Sequence, residues 1–317
     1  MTRSNPPFST RTCRYGTAAI QHAAALIRAG QTVAIPTETV YGLAADATDS
    51  AAVARIYEAK GRPSFNPLIV HVPDLATARL YARFDDTALA LAAAFWPGPL
   101  TLVLPRTEHS PIASLATAGL DTIAIRCPAH EAMRALLIAS GRPLAAPSAN
   151  ASGRISPTRA EHVLASLDGR IPLVIDGGPT GQGVESTIAA PSGSVIRLLR
   201  PGPITPEQLT AATGLPVETV IGGAIEAPGQ MTSHYAPSKP LRLNATDARP
   251  GEWLIGFGNV AGDVSLSVSS DLAEAAANLF DLLHRADAGG TASIAVAPVP
   301  DNGLGIAIND RLMRAAA

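Results

Sequence analysis

Helix-period and strand-period segments alternate along the first two thirds of this chain, and proline closes many of them. Thr17 to Ala29 carries apolar residues at helical spacing and stops at Gly30. Thr32 to Ile35 then reads as a short strand ending at Pro36. Ala51 to Ala59 reads as a helix, Pro67 to Val72 as a buried strand, and Asp86 to Phe95 as an alanine-rich helix halted by Trp96-Pro97-Gly98-Pro99. Leu100 to Leu104 is a strand bounded by Pro105, Thr122 to Arg126 another, His130 to Ser140 a helix, and Leu144 to Ala146 a short strand running into Pro147. Leu173 to Ile175 and Ser194 to Leu199 complete the strand set. This order specifies an α/β sheet with helices packed on it. Some strands lie close enough in sequence for hairpins, so the sheet is mixed.

Length and composition narrow the class. At 317 residues, 47% hydrophobic and 16% charged, the chain forms one large domain or two ordinary ones, with a core of small aliphatic residues because alanine is frequent and aromatics make up 4%. The composition changes after Gly222, which divides the chain into a loose leader (1–14), a first domain (15–222), a proline-containing linker (223–240) and a small α/β unit (241–317). In the last, Leu241 to Leu243, Trp253 to Phe257 and Ser293 to Val296 read as strands and Asp271 to Ala286 as a helix. A formal charge of −2 argues against a polyanion binder, and the scarcity of aromatics argues against autonomous RNA binding. No apolar run approaches the roughly 18 residues of a membrane span. Cys13 and Cys127 are the only cysteines, which fits reduced thiols in a cytoplasm and no structural zinc.

Lys60-Gly61-Arg62-Pro63-Ser64-Phe65-Asn66-Pro67 carries the clearest chemical signal. Pro63 and Pro67 forbid a regular helix there. The chain has only two lysines, Lys60 and Lys239, so a lysine beside Arg62 suggests a compact ammonium suited to an anion; the alternative is a solvated loop charge. The phosphate-loop motif, the dinucleotide glycine fingerprint, HExxH and the GxSxG elbow are all absent. Gly177 to Gly183 could cradle phosphate through backbone N–H groups, although a plain turn is the simpler reading. His22, His109, His130, His162 and His284 lack partners at ligand spacing and read as surface or satisfied histidines.

Polar segments recur at strand ends: Thr122-Ile123-Ala124-Ile125-Arg126, Ala146-Pro147-Ser148-Ala149-Asn150, Glu185-Ser186-Thr187 and Arg200-Pro201-Gly202. With PTETVYGL, AKGRPSFNPLIVHV, FWPGPLTLVL, IDGGPTGQGVESTI, SHYAPSKP and GLGIAINDRL, in that order from about Thr17 to the C-terminus, the chain resembles the YrdC-like threonylcarbamoyl-AMP synthases in their long form. The resemblance implies a twisted mixed-sheet catalytic domain followed by a small Rossmann-like domain. It implies synthesis of L-threonylcarbamoyl-AMP from L-threonine, bicarbonate and ATP, with Mg²⁺ accompanying the triphosphate. A tRNA threonylcarbamoyltransferase complex would take the product and modify tRNA beside the anticodon.

By the same resemblance, Lys60, Arg62, Ser148 and Asn150 hold the phosphates and the reacting carbamate. Arg126 pairs with the threonine carboxylate, and Thr39, His71, Ser186 and the backbone near Ala146 complete that pocket. Arg62, Asn66, Thr122, Ser148, Ser156 and Arg200 line the nucleotide, and Tyr235 of the linker forms a lid over the site. Glu38 and Glu185 read as orienting groups, with metal binding as the alternative. Phosphoryl-type transfer needs positioning and charge neutralisation more than a protein nucleophile, consistent with the absence of a triad.

Overall fold

Helix ends show how local sequence sets the architecture. In the computed structural model, which describes residues 8–220, 226–228 and 234–317, Asp49 caps a helix by accepting from the Ala51 and Ala52 N–H groups, and Gly61 ends it in the left-handed region (φ 59°). The chain runs β1 (Arg11–Arg14), α1 (Thr17–Arg28), β2 (Val33–Pro36), β3 (Tyr41–Asp46), α2 (Ser50–Lys60), β4 (Ile69–His71), α3 (Leu75–Ala78), α4 (Asp86–Phe95), β5 (Leu100–Pro105) and β6 (Thr122–Arg126). It continues through α5 (Glu131–Ser140), β7 (Leu144–Ala145), α6 (Ala160–Leu167), β8 (Leu173–Asp176), β9 (Thr187–Ser192), β10 (Val195–Arg200), α7 (Pro206–Thr213) and β11 (Val217–Thr219). The remainder is β12 (Leu241–Arg242), β13 (Glu252–Gly256), β14 (Val264–Ser265), α8 (Leu272–Ala288), β15 (Ser293–Val296) and α9 (Gly305–Ala315).

Among the described residues, eleven strands form one mixed sheet in the order β1-β8-β2-β3-β7-β4-β6-β5-β9-β10-β11. The sheet is mixed, as the spacing suggested: β4 runs parallel to β6, and β5 antiparallel to it. A second sheet, β12-β15-β13-β14, is parallel throughout. Arg11–Arg14, expected within a loose leader, pairs with β8 from Arg11↔Leu173 to Arg14↔Asp176. Residues 1–7 of that leader, and 223–225 and 229–233 of the expected linker, lie outside the described residues.

The strand period of two divides the large sheet's sides. Val70, Leu102 and Ile125 join the main core under α2 and α4, whereas Ile69, Val103 and Ala124 form a smaller apolar floor on the opposite face. The second domain packs α8 on its sheet through Leu279, Phe280, Leu282 and Leu283. That cluster also includes Val40, Ile155 and Val184 of the large domain and Tyr235 of the connector, so the domains share apolar contact. Gly183 is part of this docking: a Cβ there would lie 2.2 Å from the Ala276 carbonyl oxygen of α8. The glycine-rich turn thus seats a helix.

His162 of α6 and His284 of α8 stack across the same interface, ring centroids 3.8 Å apart and 17° from parallel. Each is a partner that sequence spacing could not reveal. Burial and the facing imidazole push His162 down to about 3, although Asp281 favours its proton and Arg159 opposes it. His284 is also lowered by burial, against the Ser156 carbonyl, Asp287 and Asp281. Because the folded values lie below the unfolded 6.5, this contact contributes fully above about pH 6.5 and loses its contribution as pH falls toward 3. Replacing His284 with Phe is expected to flatten the fall in stability between pH 7 and pH 5, read from urea unfolding midpoints at each pH.

Candidate active site

The register across three strands creates a polar row above the small apolar floor. His71 of β4 pairs in register with Arg126 of β6, and Arg126 with Thr101 of β5. Their side chains share the face of Ile69, Ala124 and Val103, since residues two apart point the same way. Loops close the row into a groove: Thr37 and Thr39 between β2 and β3, Arg62 after α2, Ser148 after β7, Glu185 and Ser186 before β9, and Arg200 at the end of β10. Pro228, His234 and Tyr235 also line it.

Arg126 organises one end. It donates from Nη2 to Glu38 Oε1 (2.6 Å), from Nη1 to Thr39 Oγ1 (3.0 Å) and from Nε to the Gly98 carbonyl (3.2 Å). A guanidinium carries five N–H bonds, so two remain beyond these three. Burial would raise the Glu38 pKa, but the Arg126 charge and hydrogen bond outweigh it and hold the carboxylate low. His71 is 2% exposed, pushed down to about 3 by burial and the Arg126 charge, and therefore neutral. Its Nδ1 has no partner among the described residues.

The other end is built on Arg200 and Ser186. Arg200 donates from Nε to the Ser186 carbonyl (3.0 Å) and from Nη2 to Ser186 Oγ (3.1 Å), and that hydroxyl also lies 2.8 Å from Thr101 Oγ1. Burial lowers Arg200. Glu185 accepts from Ser156 Oγ and pairs with Arg311 (2.8 Å), which commits both oxygens. Tyr235, 1% exposed, sits in the left-handed region at φ 65°, and its hydroxyl and His234 Nδ1 lack partners among the described residues.

Gly61 turns the chain so that Arg62 reaches the groove while Lys60 stays behind it. Arg62 donates to the Asn66 (3.3 Å) and Pro67 (3.0 Å) carbonyls and is lowered to about 10 by burial. Lys60 Nζ lies beneath the next loop, donating to the Ser148 carbonyl (2.6 Å), the Asn150 carbonyl and, more weakly, Asn150 Oδ1 (3.4 Å). Burial and the Arg62 charge push its pKa well down, although three acceptors match the three N–H bonds of an ammonium. The Asn150 amide is turned to the Ala151 and Arg154 carbonyls.

Of the residues expected at the site, Thr39, Arg62, His71, Arg126, Ala146, Ser148, Ser186, Arg200 and Tyr235 line one cavity. Lys60, Asn150, Asn66 and Ser156 are buried behind that lining, and Thr122 stands at the far end of β6 from Arg126. Sequence reading missed Thr37, Thr101 and His234 as individual contributors, although all three fall in or beside the quoted segments. Glu38 and Glu185 orient arginines, and no group of three or more His, Cys, Asp or Glu residues able to hold a metal occurs among the described residues.

Residues 25–202 match the Sua5–YciO–YrdC family model, described as "Telomere recombination", and 204–317 match "Threonylcarbamoyl-AMP synthase, C-terminal domain". The chain belongs to the Sua5–YciO–YrdC family. It is 43% identical to the threonylcarbamoyl-AMP synthase of Bacillus subtilis over 94% of this chain and 92% of that protein. Identity to the Pyrococcus abyssi threonylcarbamoyl-AMP synthase is 41%, covering 94% of each. A crystal structure of P. abyssi Sua5 complexed with L-threonine superposes with a TM-score of 0.86 at 39% identity, covering 97% of both chains. The mixed sheet and the small parallel-sheet domain are thus the family's long-form architecture.

Removing the Lys60 ammonium by Lys60→Met leaves the Ser148 and Asn150 carbonyls buried and unpaired, at about 1–3 kcal/mol each. The variant is expected to unfold at lower urea than the wild type, with an unchanged dependence of unfolding free energy on denaturant.

Proposed function

We propose that this groove makes L-threonylcarbamoyl-AMP from L-threonine, bicarbonate and ATP, releasing pyrophosphate. One observation carries the assignment: three buried polar atoms without partners, His71 Nδ1, His234 Nδ1 and the Tyr235 hydroxyl, belong to residues lining one cavity flanked by Arg62, Arg126 and Arg200. Buried polar atoms are left unpaired at a cost of about 1–3 kcal/mol each, which a polar substrate would offset. In kinship, the chain stands beside threonylcarbamoyl-AMP synthases and a threonine complex.

The threonine carboxylate takes the two uncommitted N–H bonds of Arg126 as a charge-assisted pair. Thr39, Ser186 and neutral His71 surround the rest of the amino acid, beside the Ala146 backbone. The amine condenses with bicarbonate to a carbamate, forming the N–C bond and releasing water; a carbamate oxygen then attacks the α-phosphorus of ATP, and pyrophosphate leaves. Arg62, Ser148 and Arg200 face the phosphates and neutralise developing charge, with Lys60 and Asn150 fixing the Ser148 loop from behind. Asn66 supports Arg62 through its carbonyl, Ser156 acts on Glu185, and Thr122, at the start of β6, serves the nucleotide.

Both carboxylates near the groove are occupied by arginines, so the residues do not fit a resident cation, and Mg²⁺ arrives as part of the ATP substrate. The space between groove and cover is about 40 Å³, far below the several hundred Å³ of a nucleotide pocket. His234 and Tyr235 therefore act as a lid that opens for ATP and then keeps water from the labile mixed anhydride. The product passes to a tRNA threonylcarbamoyltransferase complex in the cytoplasm; no helix among the described residues is long and apolar enough to cross a membrane.

Pyrophosphate release from MgATP is expected to require both L-threonine and bicarbonate, with the adenylate detected by rapid chromatography. L-Serine, which lacks one methyl group, is expected to react with a kcat/KM about 10–200-fold lower. Arg126→Met is expected to lower kcat/KM for threonine about a hundredfold through loss of the charge-assisted pair. Release that ignores threonine overturns the assignment.

A further inference from the structure

Arg311 belongs to α9, the last helix of the small domain, yet most of its guanidinium bonds reach the large one. The side chain is 0% exposed. Its Nε donates to Glu185 Oε2 (2.8 Å), and its Nη2 donates to the Pro201 carbonyl (2.9 Å), with a longer 3.5 Å approach to the Glu185 carbonyl. Nη1 pairs with Asp310 (2.5 Å), and the guanidinium carbon stands 5.2 Å from the centre of the Tyr235 ring.

The two chain segments it grips are those that carry groove groups. Glu185 precedes Ser186, Pro201 follows Arg200, and Arg200 is bonded to Ser186 through both its carbonyl and its hydroxyl. The segments meet at backbone distance: a Cβ on Gly202 would fall 2.3 Å from the Thr187 nitrogen and 2.7 Å from the Glu185 carbonyl oxygen. A contact serving adhesion alone is made more cheaply by apolar groups, as Val40, Ile155 and Val184 do at the same interface. The buried guanidinium is instead placed where two substrate-facing side chains leave the sheet.

We propose that Arg311 is a positioning residue of the synthase site, supplied by the small domain: it neutralises Glu185 and pins the Glu185–Ser186 and Arg200–Pro201 segments in the geometry the reaction uses. This assignment rests on the synthase reading above. It makes the small domain part of the reaction machinery and not an appendage. Glu185 is faced by Arg311 and Arg200, with Lys60, His234 and Tyr235 around it. Burial alone would raise its pKa, but the Arg311 and Arg200 charges hold it low. Loss of Arg311 therefore lets Glu185 take up a proton at higher pH.

The test uses the full chain and threonine-dependent pyrophosphate release across pH, with folding checked by circular dichroism. Arg311→Met is expected to lower kcat/KM for threonine by about a hundredfold, the scale of a small misplacement of reacting groups. Its activity is expected to fall on the acid side at a higher pH than in the wild type. Arg311→Lys, which keeps the charge, is expected to restore the acid limb while retaining a raised KM. The double variant Glu185→Gln/Arg311→Met, with no buried carboxylate to titrate, is expected to lose the new limb and recover part of kcat. A folded Arg311→Met with wild-type kcat, KM and pH profile overturns the assignment, as does an equal loss and the same limb in the double variant. If Arg311→Met does not fold, a wild-type KM in Arg311→Lys overturns it. Wild-type protein that releases no threonine-dependent pyrophosphate overturns the synthase reading and this one with it, a result distinct from an active wild type with an indifferent Arg311.

Discussion

Burying cations is the constraint around which the groove is built. Lys60, Arg62, Arg126, Arg200 and Arg311 are each less than a tenth exposed, and each would be prohibitive in an apolar interior without partners. The protein answers mainly with backbone carbonyls and uses carboxylates at two points. Lys60 and Arg62 are held chiefly by carbonyl oxygens, which satisfy N–H groups without cancelling the charge. Arg126 and Arg311 are neutralised by Glu38 and Glu185. The groove thereby retains net positive character toward an anionic substrate while its arginines remain fixed.

That solution depends on the strand register. A shift of β6 by one residue would send Arg126 into the main core beside Leu91 and Leu100, and Ile125 into the groove. The apolar side of the same strands prevents this, since Val70, Ile125 and Leu102 must face α2 and α4. Core packing and site chemistry are therefore two readings of one alternation.

Much of this was visible in the amino-acid order where periodicity was strong. The helix over Asp86–Phe95 and the strands over Thr122–Arg126 and Ser293–Val296 have the limits their apolar pattern indicated. Arg11–Arg14 was not seen as a strand because Arg-Thr-Cys-Arg has no apolar alternation, and its order comes from pairing with β8. Tyr41–Asp46 is buried on both sides, so it lacks the polar face that would mark it. At the site, short-range motifs identified the groove's lining well. What they could not distinguish is depth: Lys60 and Arg62 were both expected at the phosphates, but past the left-handed turn at Gly61 only Arg62 lines the cavity, while Lys60 is bonded under the Ser148 loop. The Glu185–Arg311 pair, 126 residues apart, has no local signature at all.

The apolar cluster shared by Val40, Ile155, Val184, Tyr235 and α8 has a consequence for how the molecule comes apart. Neither sheet owns a complete boundary of its own, because peeling the small domain away would open the contact of α8 with Tyr235 and expose Val40, Ile155 and Val184. That exposure couples the stability of each sheet to the presence of the other.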